Sequence, residues 1–533
     1  MARNSKIIIA KNIRLDKEYK EVLNYSENDM LTLVNTNKVD SADQYNFIKD
    51  DGVISTHFDY ADALKCNYMA FQNPNYANKW FFAFIDDVKY INDGTTQIFF
   101  TIDFWSTWFS SLTVGTSFVI REHVNDDSIG ANTLPENFET GEYIINALGS
   151  IDDDSEDGGL RNTFICMGVS WAPENIPVGR DNRQFGGVYS GLNYFIFSSP
   201  TDCSLMIKAY DDLAKADAIY TIFLIPRALV SGISWYTFNL GNQEDIVAAF
   251  PPNSTFSNVL ISGVEIESPT KLNGYTPKNN KLFCYPFNYL YITNNNGADV
   301  IYNYEDFINN TPKFSVDGVL TTGCSIKLHP NNYKKFNSYI NHPKMESCFG
   351  IVGGKYPTCS WDSDPYTNWL TQNAINIPIQ ITAGLSATTF SAIAGNVGGT
   401  IGGALSIGSS ISSIYEHSLV PLQAKGNISA GDVTQGMRMN TFSYYKMSIK
   451  EEYARCIDDY FTRFGYKVNR NKTPNITGRR YWNYIQIANE DNLGFGEIPS
   501  NYLDEINKIA RRGVTIWHSH DNIGNYSLNN TIL

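Results

Sequence analysis

Charge is scarce in this chain. Asp, Glu, Lys and Arg make up 18% of 533 residues, against about 25% in ordinary soluble domains. What charge there is leans acidic: Lys+Arg 41 against Asp+Glu 55 leaves a net −14, with no broad basic surface for gripping phosphates, which excludes a nucleic-acid reader. An export signal is also missing, because Lys11 and Arg14 cut off the apolar run that begins at Ile7. The eight cysteines show no Cys-x-x-Cys pair and no secreted framework, so they read as free, mostly buried thiols made in a reducing cytoplasm. In that compartment the sequon Asn253-Ser-Thr carries no glycan. None of the seven histidines forms His-Glu-x-x-His, and Trp517-His-Ser-His520 has no neighbours to complete a tetrahedral metal site, so it reads as a structural surface pair. Gly-x-Ser-x-Gly and Gly-x-x-x-x-Gly-Lys are absent too. No catalytic residue, cofactor site or metal site is assigned, and the chain reads as a non-enzyme. One enzymatic class stays open, since a glycosidase needs only two carboxylates at the right separation.

Aromatics, by contrast, are abundant at 14% (Tyr 33, Phe 31, Trp 9), which favours packed, β-rich structure over disorder. The length fits about three to five compact units. Trp80-Phe-Phe-Ala-Phe-Ile and Thr96 to Trp105 read as two strands, joined at Asn92-Asp-Gly by a tight hairpin using φ > 0 positions. Ser117-Phe-Val-Ile, Tyr194-Phe-Ile-Phe and Tyr220-Thr-Ile-Phe-Leu-Ile read as further strands, with two more hairpins near Asn294 to Gly297 and at Asp317-Gly318. Trp80, Trp105, Trp108 and Trp482 lie in these apolar strands, where core or subunit packing is commoner than sugar stacking. Asp152-Asp-Asp-Ser-Glu-Asp-Gly-Gly opens like a calcium loop through Asp153, Ser155, Asp157 and Gly158. Phe164 stands where its bidentate Glu belongs, so a solvated acidic loop is the better reading.

Helical periodicity with good caps first appears near the C-terminus. Residues 451–464 place Tyr453, Cys456, Ile457, Tyr460, Phe461 and Phe464 on one face, with Gly465 as a left-handed stop. A second helix over 501–512 has Ser500 as N-cap, Leu503, Ile506 and Ile509 inward, and Gly513 beyond. Strands at Phe442-Ser-Tyr-Tyr-Lys-Met-Ser, Tyr481-Trp-Asn-Tyr-Ile-Gln-Ile and Val514-Thr-Ile-Trp flank them, giving an α+β end to a mainly β chain.

One segment breaks this pattern. Residues 365–415 contain no Asp, Glu, Lys or Arg, and the second half is Gly, Ala and Ser with larger apolar residues between. Ile375, Ile377, Ile379, Ile381, Leu385, Phe390, Ile393, Val397, Ile401, Leu405, Ile407, Ile411 and Ile414 are those larger residues, and Gly395, Gly398, Gly399, Gly402 and Gly403 supply small-residue spacings of four. Such spacings let helices approach closely in lipid. A ~30 Å hydrocarbon core needs about 20 apolar residues, so the length suffices to cross or to enter and return. Hydrophobicity does not, because large apolar residues gain only about 0.3–0.6 kcal/mol each and Gly and Ser gain nothing comparable. A single copy inserts marginally; several copies side by side satisfy one another's backbone and hydroxyl groups. The alternative is a Gly/Ser-rich internal loop or a buried small-residue helical hairpin that never meets lipid.

Five blocks in order carry a resemblance: Pro277-Lys-Asn-Asn-Lys-Leu-Phe-Cys-Tyr-Pro-Phe-Asn-Tyr289, Cys359-Ser-Trp-Asp with Trp369-Leu, Asp458-Asp-Tyr-Phe-Thr-Arg-Phe-Gly-Tyr466, Arg480-Tyr-Trp-Asn-Tyr484 and Gly513-Val-Thr-Ile-Trp-His518. With the charge-free segment between the second and third, they resemble the tail knob, or distal tail tube, proteins of short-tailed bacteriophages infecting Gram-positive bacteria. The resemblance implies β-barrel-like tube domains that assemble as a homohexamer, contact other tail or connector proteins, and pass phage DNA non-specifically through the lumen. It also implies that residues 375–414 match a long hydrophobic loop that plugs the tube and, on release, enters the host membrane. On that pattern, 1–150 is an N-terminal tube part, 151–275 a knob or inserted domain, 276–364 a central hairpin part, 365–437 the loop, and 438–533 the C-terminal α+β tube part. Six copies, each at −14, would present an acidic or neutral lumen that repels the polyanion rather than gripping it. The rival classes are a cell-wall glycan hydrolase and a host-glycan-binding adhesin.

Overall fold

The computed structural model describes residues 5–45, 52–72, 77–152, 162–174, 176, 184–185, 188–189, 192–227, 233–250, 259–295, 297–318, 325–333, 351–355, 360–362, 425–427 and 442–533. The chain divides into two compact units. The first comprises residues 1–139, 277–282 and 452–533, and the second 140–276 and 283–451.

In the first unit the hairpin of Trp80–Asn92 and Thr95–Ile102 is formed as its sequence predicts. Alternate residues of the second strand, including Ile98, Phe100 and Ile102, are buried, the period-two pattern of a strand with one face on a core. The turn differs from expectation. Gly94 lies outside the left-handed region, and the Asn92 side chain caps the turn by accepting the Gly94 N–H at 3.0 Å. The hairpin is central to an antiparallel six-stranded sheet in the order Lys38–Tyr45, Ser5–Ala10, Tyr68–Gln72, Trp80–Asn92, Thr95–Ile102, Val53–Thr56. A five-stranded sheet runs Glu21–Leu23, Val514–Trp517, Trp482–Ile487, Ser117–Glu122, Tyr466–Lys472. Both sheets contribute to one continuous core that includes Phe71, Phe81, Trp105, Trp482, Ile506 and Trp517.

The second strand of the hairpin stops at Ile102, not at Trp105. Asp103 accepts the Ser106 N–H at 3.0 Å and caps a short helix, Phe104–Trp108. Trp105 and Trp108 are therefore helical, and both are buried, as core packing requires. Helices also occur earlier than periodicity indicated. Ser26 and Asp29 form a reciprocal capping box on Glu27–Thr36, and Ser199 with Pro200 opens Pro200–Asp212. In Glu451–Phe464 the buried face is Ala454, Ile457, Asp458 and Phe461, while Cys456 is exposed. The face is rotated because a charged residue, Asp458, points inward. Gly465 does take the left-handed conformation at φ 66°. In Ser500–Arg512 the cap position is Pro499, and Ser500 makes no capping bond. Ile506 and Ile509 are buried as expected, while Leu503 is only half-buried.

The second unit holds three larger sheets. Ile219–Pro226, Thr163–Val169, Asn193–Phe197, Gln243–Ala249 and Trp235–Leu240 form a five-stranded sheet, backed by Pro200–Asp212 through Cys203, Met206 and Tyr210. A four-stranded sheet runs Tyr143–Ile151, Phe442–Ile449, Asn288–Thr293, Asp299–Tyr302, its last two strands forming the expected hairpin at 294–297. The other runs Val259–Glu265, Lys313–Gly318, Ser325–Pro330, Ile351–Lys355. Here Lys313–Gly318 and Ser325–Pro330 pair as the hairpin expected around Asp317-Gly318, with these two residues closing the ladder opposite Lys327 and Ile326. The acidic residues 153–158 and the sequon at Asn253 lie outside the described residues; Phe164 is a buried core residue.

Candidate functional site

The membrane-active candidates, from Ile375 through Gly395, Gly398 and Gly402 to Ile414, all lie outside the described residues. What is described is the chain on either side of them. Ser360–Asp362 pairs antiparallel with Lys425–Asn427 in the register Ser360↔Asn427, Trp361↔Gly426, Asp362↔Lys425. This short ladder joins the two ends of the intervening chain at a common stem. The Ile219–Pro226 strand lies beside the Ser360–Asp362 arm, and the other arm leads on to Phe442–Ile449 of the four-stranded sheet. Among the described residues no helix is long and apolar enough to cross a membrane, and no cluster of His, Cys, Asp and Glu is arranged to hold a metal.

The sheet that precedes the stem carries a half-buried ionisable pair. His329 Nε2 and Asp317 Oδ2 are 3.0 Å apart on neighbouring strands. Burial pushes the Asp317 carboxyl up to about 6, and burial, reinforced by the Lys327 charge, lowers His329 to about 4. At neutral pH the imidazole is uncharged and donates to the carboxylate.

Three of the five resemblance blocks, 458–466, 480–484 and 513–518, lie in the first unit together with residues 277–282 of a fourth, and their chemistry explains how they are held. Asp458 is wholly buried and accepts the backbone N–H groups of Lys278 and Asn279 at 2.8 and 3.0 Å and the Asn279 side-chain amide at 2.8 Å. Asn279 Nδ2 also donates to Thr462 Oγ1 at 2.8 Å. The 277–282 segment, which enters this unit from the second and returns to it, is thus fixed by helix Glu451–Phe464. Beside it Lys281 reaches Glu136 Oε1 at 2.6 Å, and Arg121 pairs with the same carboxylate. A buried charge needs such saturation, since an unpaired one is strongly destabilising. The other two blocks meet through Trp482 and Trp517, with ring centroids 4.9 Å apart, and through His518 Nε2 to Asn483 Oδ1 at 3.1 Å. Neither His518 nor His520 is an exposed surface residue. His520 is buried, and its Nε2 accepts the Arg14 N–H at 3.0 Å.

Sequence reasoning missed Asp458, Asn279 and His123. His123 Nδ1 accepts the Tyr484 N–H at 2.7 Å, and Nε2 donates to the Thr462 carbonyl at 3.1 Å. Burial drives its pKa down to about 3. A polar residue on an otherwise apolar helical face was the only available signal for Asp458, and it reads equally as a solvated edge. The described cysteines form no disulfide with one another: Cys66, Cys166, Cys203 and Cys284 are buried, and Cys456 is exposed.

The family described as Bacillus phage phi29 tail knob protein gp9, C-terminal domain, matches residues 253–531. The caudoviral major tail protein N-terminus matches residues 3–113. The tail knob proteins gp9 of Bacillus phages PZA and phi29 are each 27% identical to this chain, covering 87% of it and 87% of their own length. The solved tail knob protein gp12 of bacteriophage C1 shares the fold at a TM-score of 0.63 and 13% identity, covering 99% of this chain and 100% of that one. With more than half of its length matched by the phi29 gp9 family, this chain belongs to the tail knob proteins, structural components of the bacteriophage virion located in the tail.

Proposed function

We propose that this chain assembles as a homohexamer into the distal tube or knob of a short tail, conducts DNA during ejection, and acts without catalysis. In this reading residues 375–414 plug the tube until release and then penetrate the host membrane. The carrying observation is the ladder between Ser360–Asp362 and Lys425–Asn427, because it tethers both ends of a chain segment that has no charge across 365–415. A tethered uncharged segment can leave its stowed position while the rest of the fold stays intact, and lipid accepts a segment without charges far more readily than one with them. Oligomerisation supplies what one copy lacks, since several Gly- and Ser-rich segments satisfy one another's polar groups in lipid. The five-part division at residues 150, 275, 364 and 437 belongs to the same proposal, as does a lumen that is acidic or neutral. A synthetic peptide of residues 375–414 releases dye from phosphatidylglycerol liposomes more strongly than a scrambled peptide of equal composition; equal release from the two would contradict the membrane role.

A further inference from the structure

The four-stranded sheet of the second unit has two apolar faces and only one core. One face packs Leu290, Ile292 and Tyr302 into buried structure. On the other, the register aligns Ile301, Tyr291, Tyr445 and Leu148 in one row across all four strands. A second row aligns Tyr289, Met447 and Ile145. Leu148 is 72% exposed, Ile145 53% and Ile301 46%. Below these rows lie Asp299, Thr293, Ser443 and Ser150, so the apolar surface is bordered by a polar rim that carries one carboxylate, Asp299, hydrogen-bonded to Tyr291. Isolated exposed apolar residues are ordinary, but contiguous rows rimmed by polar side chains mark an interaction surface.

The edge of the sheet gives the same indication. Tyr143–Ile151 ends the sheet, paired only with Phe442–Ile449 among the described strands. Its residues, Tyr-Ile-Ile-Asn-Ala-Leu-Gly-Ser-Ile, include no charge and no proline. Proteins ordinarily protect a long edge with lysine, proline or a covering element, because an open apolar edge recruits another chain. Charge selects the partner. Each copy carries −14, so copies repel over most of their surfaces, and they approach most readily at a face such as this one, where the charge is a single rim carboxylate held by a tyrosine. The two rows contain no ionisable group other than tyrosine.

We propose that this face, with the edge of Tyr143–Ile151, is where a second copy of this chain docks. The contact is heterologous: the apolar rows and edge of one copy meet a different surface of the next, which is the arrangement that closes rings. The proposal rests on the reading that the chain self-assembles, and the test separates the two.

The mass of the full-length chain in solution is measured by light scattering after gel filtration, for the wild type, the double variant Leu148→Glu/Ile301→Glu, and Leu64→Glu/Phe495→Glu. The last pair changes two exposed residues of the first unit, 59% and 65% accessible, and adds the same charge. The expected result is an assembly for the wild type and the control, and a folded 59.9 kDa monomer for the face variant, with circular dichroism unchanged. A milder Leu148→Asn variant raises the concentration at which the assembly half-dissociates by about tenfold or more, and it serves if the double variant misfolds. A wild-type assembly that survives both face variants, or that the control also dissociates, overturns the docking face and leaves self-assembly standing. A wild type that remains monomeric at every concentration overturns both. If deleting residues 375–414 makes this face bind a hydrophobic dye in an otherwise unchanged monomer, the occupant is that segment rather than a second copy, and the proposal fails.

Discussion

The two units bury their apolar residues in different ways. In the first, residues from both large sheets and from Ser500–Arg512 share one continuous core, and the carboxylates buried elsewhere in the unit, Asp458 and Glu136, are saturated by Lys278, Asn279 and Lys281. In the second, the buried apolar residues described divide between two separate clusters, one sheet face presents exposed Leu148, Ile145 and Ile301, and a short ladder joins the chain on either side of a charge-free segment. The first is built as a self-sufficient support. On the reading proposed here, the second meets its partners, other copies and lipid, through these features.

The largest expected effect tests the first unit. Asp458→Ala leaves the Lys278 and Asn279 backbone N–H groups without their acceptor, while Asn279 Nδ2 keeps Thr462 Oγ1, and should cost about 3–5 kcal/mol, read as a shift in the urea midpoint. A loss below about 1 kcal/mol would mean that the 277–282 segment is held by something else. In the second unit Ile292→Ala, at a fully buried position, should cost about 2–5 kcal/mol, whereas Leu148→Ala on the opposite face of the same sheet should stay within about 0.5 kcal/mol in the monomer. Equal costs would remove the contrast between the covered and uncovered faces.

Acidification sharpens the comparison further. His123 is neutral in the folded state because burial, reinforced by the Arg479 charge, disfavours the imidazolium, and its folded pKa near 3 lies below the ordinary imidazole value of 6.5. Its stability contribution is therefore complete above about pH 6.5 and is lost progressively toward pH 3, amounting to roughly 2 kcal/mol by pH 5. His123→Gln should flatten the acid limb of a thermal-unfolding profile, and an unchanged slope would contradict the assignment. The second unit should respond more weakly over about pH 4 to 6. There the raised Asp317 pKa makes stability fall as pH rises, while the lowered His329 pKa makes it rise.

Sequence reading succeeded where one face met one core. The hairpin from Trp80 to Ile102 was legible because alternating apolar residues flank a short polar turn, and Ile506 and Ile509 were legible from helical spacing. It failed where a polar group did the organising. Asp103 converts an apparent strand into the helix holding Trp105 and Trp108, Asp458 rotates the buried face of its helix, and Ser26 opens a weakly amphipathic helix that apolar spacing alone does not reveal. Each depends on a hydrogen bond whose partner is a backbone group, and side-chain periodicity carries no record of it. The charge-free segment was legible for the opposite reason, as a run whose lack of charge no folded-core pattern required. Its tied ends were not, because Ser360–Asp362 and Lys425–Asn427 are far apart in sequence and too short to announce a strand.

The central claim is that a tethered, uncharged segment of the second unit is the lipid-active part of this tail protein. Its most direct test is dye release from phosphatidylglycerol liposomes by the full-length chain, compared with a variant in which residues 375–414 are replaced by a short Gly-Ser linker. The full chain should release dye under conditions that free the segment, and the shortened chain, still assembling to the same mass, should not. Equal release by both, or none from an assembled full-length chain under any triggering condition, would contradict the account.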